Sequence, residues 1–212
     1  MKDPSPSNLA PRAFSITGEA LWERMNRAVD KVQERLGRTI EALDSVNIEF
    51  GVVGGHAVRA WVAQVDESAV RTTRDVDILI QRSDLAAVIE SMENAGFIYR
   101  QVSSLGKAGS MHVFLDGPEG KIRDGVHLLF AGERVHPDDE LPAPSLVETE
   151  NVAAQRTIKL ESLVKMKLNV FKDKDRVHLR DMLEVGLIDQ AWTQNLPPVL
   201  AKRLQELIDH PE

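Results

Sequence analysis

The amino-acid sequence predicts an α/β (α+β) fold with a mixed central sheet of about five strands, flanking helices and a C-terminal helical segment. Short apolar or alternating segments, which are typical of strands, occur at residues 48–53, 74–80, 97–100, 111–115 and 126–130. After the proline-rich stretch HPDDELPAPS, apolar residues recur only at helical spacing. The 212 residues suffice for one domain with a core of its own.

Apolar residues spaced three or four positions apart indicate where the helices lie. This periodicity predicts helices at residues 16–45, 83–95, 160–171, 176–186 and 198–208. A further helix is expected directly after Gly55, where Ala57, Val58, Trp61 and Val62 have helical spacing. We expect the first helix to pack on the sheet. For the helix at residues 83–95, Ser83 is the expected N-cap and Gly96 the expected stop, because a serine oxygen can accept amide hydrogens and glycine tolerates the conformation that ends a helix.

These patterns divide the chain into three segments. Residues 1–14 hold three prolines and no apolar stretch, which predicts a flexible arm and not a secretory signal. Residues 15–150 are expected to form the α/β core. Residues 151–212 are expected to form a helical segment that packs on it.

Composition excludes several classes of protein. A hydrophobic content of 42% with 28% charged residues is ordinary for a globular protein. No apolar run approaches the roughly 20 residues that span a bilayer, so we expect no membrane partner. Cysteine is absent, which excludes disulfides, thiolate zinc sites and a cysteine nucleophile. The same absence is compatible with a reducing cytoplasm, where we expect the protein to reside.

Charge bears on nucleic-acid binding. The formal net charge of −7 provides no global positive field, so a nucleic-acid partner would need a local basic patch. One stretch offers candidates, namely Lys165, Lys167, Lys172, Lys174, Arg176 and Arg180. The alternative is a solvated helix face whose acidic neighbours neutralise these charges.

Two aspartates stand at the start of the second predicted strand. Asp75 and Asp77 share one face of that strand, about 7 Å apart along the backbone, while Val76 points to the opposite face. Paired carboxylates together with substrate phosphate are a common Mg²⁺ environment. The alternative is a surface ion-pair cluster, in which Arg71 and Arg74 simply neutralise the two aspartates.

A glycine pair ends the first predicted strand. Gly54 and Gly55 permit a tight turn and expose amide N–H groups to an anion at the start of a helix. Many strand-to-helix turns use glycine for geometry alone. The order of turn, helix, return strand and Asp-x-Asp nevertheless brings a phosphate-binding turn and a metal site to one edge of the sheet.

From about residue 45 to 185 the chain resembles the nucleotidyltransferase superfamily related to DNA polymerase β. The matching motifs are Val-Val-Gly-Gly at 52–55 and Asp-Val-Asp at 75–77. The bacterial minimal and toxin-type nucleotidyltransferases are most similar, since they carry Arg-x-Thr before the acidic pair, as at 71–73 here. Lys167 and Lys174 match the Lys-Leu and Lys-Asp motifs of their helical tail.

The resemblance implies transfer of a nucleoside monophosphate from a nucleoside triphosphate to an acceptor hydroxyl, with Mg²⁺ or Mn²⁺ as cofactor. It also implies a set of nucleotide-binding residues, namely Gly54, Gly55, His56, Arg71, Thr73, Lys167 and Lys174. The acceptor is left open between RNA, protein and a small molecule, and a partner protein is compatible with the toxin-type relatives.

The sequence departs from the family pattern at the third acidic position, which is occupied by His127. An imidazole nitrogen suits Mn²⁺, Zn²⁺ or Fe²⁺ better than Mg²⁺ and brings no negative charge. His127 is therefore a candidate third metal ligand or general base, and the alternative is a structural histidine. Asp124 could replace it only if Gly125 hosted a bulge, because three residues along a strand reverse the face.

Two other histidines, His56 and His178, are candidates for contact with a substrate. His56 stands where many relatives have a phosphate-binding serine, and a protonated imidazole could still bind phosphate. His178, Lys174 and Asp181 share one helical face, which is more often solvated than functional.

Three functions follow in decreasing order of support. The first is a metal-dependent nucleotidyltransferase in which Asp75, Asp77 and His127 are the catalytic and metal-binding residues. The second is a catalytically degenerate nucleotide sensor or protein-binding module, which the missing third carboxylate favours. The third is a hydrolase with a transition-metal site that includes His56, His112 and His127, and the lack of HxH or HExxH spacing disfavours it.

Overall fold

The computed structural model describes residues 18–103 and 110–211, so the predicted arm at residues 1–14 lies outside the described residues. The described chain contains helices α1 (Gly18–Ser45), α2 (Gly54–Ala63), α3 (Leu85–Asn94), α4 (Leu160–Val170), α5 (Asp173–Glu184) and α6 (Pro198–Asp209). Its strands are β1 (Phe50–Val53), β2 (Val76–Ile80), β3 (Ile98–Ser103), β4 (Ser110–Leu115), β5 (Val126–Phe130), β6 (Thr149–Val152) and β7 (Gln155–Ile158).

All these strands form one mixed sheet in the order β3-β4-β5-β2-β1-β7-β6. Strand β2 is central, antiparallel to β1 and parallel to β5. Strand β1 is also parallel to β7. The predicted α/β class with a mixed central sheet is confirmed.

The sheet has seven strands among the described residues, two more than predicted. Strands β6 and β7 form a hairpin in which Val152 pairs with Gln155, within a region that the sequence suggested to be helical. Both turn residues have positive φ, 49° at Ala153 and 60° at Ala154. Such two-residue turns usually contain Asn-Gly or Asp-Gly, so Ala-Ala gave no recognisable hairpin signal.

The two faces of the sheet are covered by different helices. Helices α1 and α3 pack on one face, which receives Val76 and Ile78 of β2. Helices α2, α4, α5 and α6 pack on the other face, which receives Leu79. Because side chains alternate along a strand, Asp75 and Asp77 point to the same face as Leu79. The acidic pair therefore faces α2 and the C-terminal helices.

The predicted packing of α1 on the sheet holds for the second half of the helix. Leu21, Trp22 and Met25 are 47%, 65% and 50% exposed, and burial begins at Arg35. A helix of 28 residues is about 42 Å long, more than twice the roughly 17 Å of a five-residue strand. Despite this length, no helix in the described parts of the chain has the combined length and hydropathy that crossing a membrane requires.

The start of α3 differs from the prediction, and its end agrees with it. Ser83 does not cap the helix, because its hydroxyl donates to the neighbouring Asp84 carboxylate at 3.2 Å. The helix instead continues from a 3-10 turn at Arg82–Asp84. Gly96 follows its C-terminus with a φ of 87°, as expected of a glycine stop.

A core substitution tests whether the C-terminal helices unfold together with the sheet. Leu204 on α6 is fully buried in the cluster that includes Val53 and Leu79. We expect Leu204→Ala to lower the free energy of unfolding by about 2–5 kcal/mol, measured by urea denaturation, since it leaves a cavity. The matched control Val199→Ala, at a site of the same helix that is 41% exposed, should change the free energy by less than about 0.5 kcal/mol. Similar effects of the two substitutions would contradict the packing of α6 on the core.

Candidate metal and nucleotide site

Pairing of the three neighbouring strands β5, β2 and β1 assembles the candidate site at one end of these strands, in the middle of the sheet. Asp77 on β2 lies opposite His127 on β5 and opposite Val53, the last residue of β1. Asp75 immediately precedes β2. One ligand atom from each of Asp75, Asp77 and His127 lies within 4.8 Å of the other two. The structure thus brings the three predicted metal-binding residues together.

The orientation of His127 leaves one ring nitrogen facing Asp77. Its Nε2 lies 2.7 Å from the carbonyl oxygen of Ile122, in the 3-10 turn Ile122–Asp124 that precedes β5. A carbonyl only accepts, so Nε2 carries a hydrogen and Nδ1 of the neutral ring carries a lone pair. This Nδ1 lies 3.8 Å from Asp77 Oδ1. A histidine that donates to a backbone carbonyl and presents its other nitrogen is the usual arrangement of a metal ligand.

Asp75 is surrounded by donors. Its carboxylate accepts hydrogen bonds from Thr73 Oγ1 at 2.6 Å and from Lys174 Nζ at 2.9 Å. Burial alone would raise the pKa of Asp75, but these two partners outweigh burial and lower the pKa to about 2. Asp75 is therefore ionised at neutral pH, and the predicted nucleotide-binding residues Thr73 and Lys174 both lie against it.

Asp77 has the opposite electrostatic environment. Burial, and then the negative charge of Asp75, raise the pKa of Asp77, although His127 and two lysines act in the other direction. A divalent cation would relieve this cost. Two carboxylates and an imidazole nitrogen fit such an ion, and the imidazole favours Mn²⁺ over Mg²⁺.

The glycine pair touches the acidic residues. Gly54 has a φ of 66°, and a side chain there would overlap the carboxylate of Asp77. At Gly55, an added Cβ atom would lie 2.6 Å from Thr73 Oγ1. Helix α2 starts at Gly54, and no side chain caps it. The first amides of α2 are thus available to an anion beside the carboxylates.

His56 follows the glycines and is buried, whereas the sequence suggested a protonated imidazole at this position. It is 2% exposed, and its Nε2 has no hydrogen-bond partner among the described residues. Burial, and then the charge of Arg59, lower the pKa of His56 to about 4. At neutral pH the imidazole is neutral, so any contact with phosphate would be a hydrogen bond from an uncharged ring.

One face of α5 holds the segment before β2 in place. Lys174 contacts Asp75, and two turns further along the helix Asp181 accepts from Arg71 Nε at 2.7 Å. His178 lies between them, 7% exposed, and burial and then Lys167 lower its pKa to about 4. The polar face that sequence alone suggested to be solvated is mostly buried against the site.

The last predicted nucleotide-binding residue, Lys167 on α4, lies within this charged layer. It is 8% exposed and pairs with Asp175 of α5, with Nζ 2.8 Å from the carboxylate. Its positive charge also lowers the pKa of Asp77, although burial dominates there. Lys167 is therefore close enough to influence the carboxylates, but its own charge is already paired.

Two other candidate metal ligands, Asp124 and His112, lie outside the cluster of Asp75, Asp77 and His127. Asp124 is absent from the described metal-binding cluster, and its carboxylate lies 3.7 Å from Arg123 Nε. His112 on β4 pairs with Leu128 and so points to the face opposite His127. Its Nδ1 is hydrogen-bonded to the Tyr99 hydroxyl at 2.7 Å. The hydrolase site that would combine His112 with His127 is not formed.

The predicted basic patch on α4 and α5 is divided among ion pairs. Four of its members have carboxylate partners, at Lys165–Glu161, Lys167–Asp175, Lys174–Asp75 and Arg176–Glu206. Pairing of this kind removes most of the field that a nucleic acid would sense.

Comparison with solved structures identifies the fold. The solution structure of the antibiotic-resistance factor ANT(2'')-Ia matches with a TM-score of 0.50 and 12% identity, over 86% of this chain and 92% of that one. The chain has the nucleotidyltransferase fold. The resemblance predicted from the glycine and Asp-x-Asp motifs is confirmed at the level of this fold.

Other comparisons are more distant. A Helicobacter pylori protein assigned as a nucleotidyltransferase has a TM-score of 0.49 and 13% identity, over 86% of this chain and 77% of that one. JHP933 of Helicobacter pylori has a TM-score of 0.45 and 17% identity, over 93% and 77%. No protein-family model matches the chain, and no curated protein matches it.

Some residues that shape the nucleotidyltransferase-fold site were not singled out for it by sequence. The carbonyl of Ile122 orients His127, and a backbone atom leaves no pattern in the sequence. Asp181 holds Arg71 across 110 residues, and its spacing from Lys174 was the only available signal. Arg74 and Arg123 line a cleft beside Asp75, although they are distant in sequence.

The contact between Gly54 and Asp77 can be tested with a matched glycine. Gly132 has a similar φ of 75° but open space around it, so Gly132→Ala should cost only the backbone strain of about 1–2 kcal/mol. Gly54→Ala adds a clash with a carboxylate and should exceed the control by at least about 1 kcal/mol in urea denaturation. Equal losses in the two variants would show that Gly54 does not lie against Asp77.

Proposed function

We propose that the protein is a metal-dependent nucleotidyltransferase that moves a nucleoside monophosphate from a nucleoside triphosphate to an acceptor hydroxyl. The convergence of Asp75, Asp77 and His127 within 4.8 Å carries this proposal. Two further observations support it, namely the glycine turn that touches Asp77 and the nucleotidyltransferase fold.

The proposed metal ligands are the two carboxylates and Nδ1 of His127. Mn²⁺ fits this set best and Mg²⁺ is the alternative, because one ligand is a nitrogen. When bound, the ion would neutralise charge on the phosphate oxygens and align the triphosphate. The Ile122 carbonyl holds the imidazole in the tautomer that this role requires.

The transfer itself needs mainly positioning. The acceptor oxygen forms a bond to the α-phosphorus, while the bond from that phosphorus to the bridging oxygen breaks. Pyrophosphate leaves with the electron pair of the broken bond, and the hydroxyl proton passes to solvent. The first amides of α2, at Gly54 and Gly55, would hold the phosphates during this step.

The three predicted basic residues are unequal partners for a triphosphate. The side chains of Lys174 and Arg71 are 52% and 60% exposed, so they can turn from Asp75 and Asp181 to a phosphate. The side chain of Lys167 is only 10% exposed and stays with Asp175. We assign Lys174 and Arg71 to direct contact with the triphosphate. Lys167 would act on it only through its positive charge.

A second function is favoured by one observation. His127 brings no negative charge to the position of a third carboxylate, which weakens binding of a second cation. A sensor or protein-binding module binds nucleotide without transferring it, so it would not need a second cation.

Substitution of Asp77 tests the proposed function. We expect titration calorimetry to detect binding of a nucleoside triphosphate in the presence of Mn²⁺, and Asp77→Asn to weaken it at least about 100-fold, because a ligating charge is lost. The control Asp124→Asn removes a nearby carboxylate outside the cluster and should bind like the wild type.

Three results separate the alternatives. If none of the four triphosphates binds with Mn²⁺ or Mg²⁺, the proposed function is wrong. If a triphosphate binds but no label is transferred to RNA, protein or small molecules, the sensor is supported. Any transfer that Asp77→Asn abolishes excludes the sensor.

The choice of metal depends on His127. We expect His127→Asp to improve Mg²⁺-supported triphosphate binding relative to Mn²⁺, by roughly tenfold in the ratio of dissociation constants, because an oxygen ligand replaces nitrogen. His127→Ala should weaken binding with both metals. A ratio that does not move in His127→Asp would show that the imidazole is not a ligand.

A further inference from the structure

A cleft of about 280 Å³ opens beside Asp75. Its lining residues are Thr72, Thr73, Arg74, Asp75, Arg123 and Lys174. Three of these side chains are cationic and one is acidic. The cleft therefore reaches the proposed metal site through Asp75, while most of its charged wall is basic.

Arg123 of the cleft and the glycine turn lie on different sides of β2, whereas Thr73, which also lines the cleft, lies against Gly55. The sheet order places β1 on one side of β2 and β5 on the other. Gly54 follows β1, whereas Arg123 lies in the 3-10 turn that leads into β5. A molecule bound on the Arg123 side of the cleft can thus occupy the site together with a triphosphate on the glycine turn.

The two arginines of the cleft are poorly neutralised. Within residues 18–103 and 110–211, Arg74 makes no ion pair. Arg123 has only a 3.7 Å contact with the adjacent Asp124, and its side chain is 67% exposed. This contrasts with the paired basic residues of α4 and α5, and with a net charge of −7 for the chain. Cations concentrated in a concave site attract anions.

We propose that this cleft binds the acceptor, and that the acceptor carries a phosphate close to the hydroxyl that is modified. This proposal rests on the proposed function and adds the chemical class of the second substrate. Arg74 and Arg123 would bind the phosphate, because guanidinium groups match its geometry. A polycationic acceptor would be repelled. The volume of 280 Å³ lies just below the roughly 300–1,000 Å³ of drug-sized ligand sites, which suits one terminal nucleotide unit.

Two sources share this chemistry, namely the 3′ end of a single-stranded RNA and a free nucleoside monophosphate. Each can be measured directly as a probe, without metal or triphosphate. Fluorescence anisotropy would follow a short labelled single-stranded RNA, and calorimetry would follow adenosine monophosphate. Because neither assay includes the donor nucleotide or the ion, both are independent of the transfer reaction.

We expect Arg74→Gln and Arg123→Gln each to weaken binding of the probe roughly tenfold, since each removes a charge-assisted hydrogen bond to phosphate. For RNA, the slope of log affinity against log salt should fall in magnitude by about 0.7 for each phosphate that the variant no longer neutralises. The control Arg134→Gln removes an exposed arginine beyond the far end of β5 and should bind like the wild type.

The outcomes decide both the class and the source. Binding of RNA that depends on Arg74 and Arg123 supports a nucleic-acid acceptor, and binding of the monophosphate alone with the same dependence supports a small phosphorylated acceptor. If the wild type binds neither probe, or if Arg134→Gln weakens binding as much as the cleft variants, the inference is wrong. Triphosphate binding with Mn²⁺ in a protein that binds neither probe would leave the proposed function standing.

Discussion

The repulsion between the Asp75 and Asp77 carboxylates is the constraint on which the rest of the site depends. Two partly buried negative charges on one strand face destabilise the fold unless cations compensate them. Lys174 contacts Asp75 directly, and Lys167 acts on Asp77 from its buried pair with Asp175. Burial and Asp75 nevertheless keep the pKa of Asp77 raised. A divalent ion between the two carboxylates and Nδ1 of His127 would have three ligands and would offset the remaining negative charge.

This constraint explains why the C-terminal helices belong to the site. Helix α5 supplies Lys174 to Asp75, Asp175 to Lys167 and Asp181 to Arg71. The first and last of these pairs connect residues about a hundred positions apart in sequence. The apolar face of α5 packs with α2 and the sheet in one cluster. The same helix thus contributes to the core and sets the charge around the carboxylates, so the stability of the C-terminal segment and the geometry of the site are linked.

The sheet order also bears on the two anion-binding environments that we propose. Backbone amides at the glycine turn lie on the β1 side of the carboxylates, and Arg123 of the cleft lies on the β5 side. In-line displacement at phosphorus needs the attacking and leaving oxygens on opposite sides of the reacting atom. An acceptor on one flank of the acidic strand and a triphosphate on the other, as we propose, would approach the reacting phosphorus from different directions, which is compatible with that requirement.

The sequence by itself determined the elements whose signals are local. Five of the seven strands, Gly54 and the acidic pair follow from apolar spacing, a turn that needs positive φ and alternation along a strand. Only tertiary structure decided the β6–β7 hairpin, whose Ala-Ala turn lacks the usual residues, and the neutral state of His56, which follows from burial. It also decided the pairings Lys174–Asp75 and Arg71–Asp181 and the cleft formed by Arg74 and Arg123. These features depend on which strands and helices become neighbours, and hydrophobic periodicity specifies a face for each element but not its partner across the sheet.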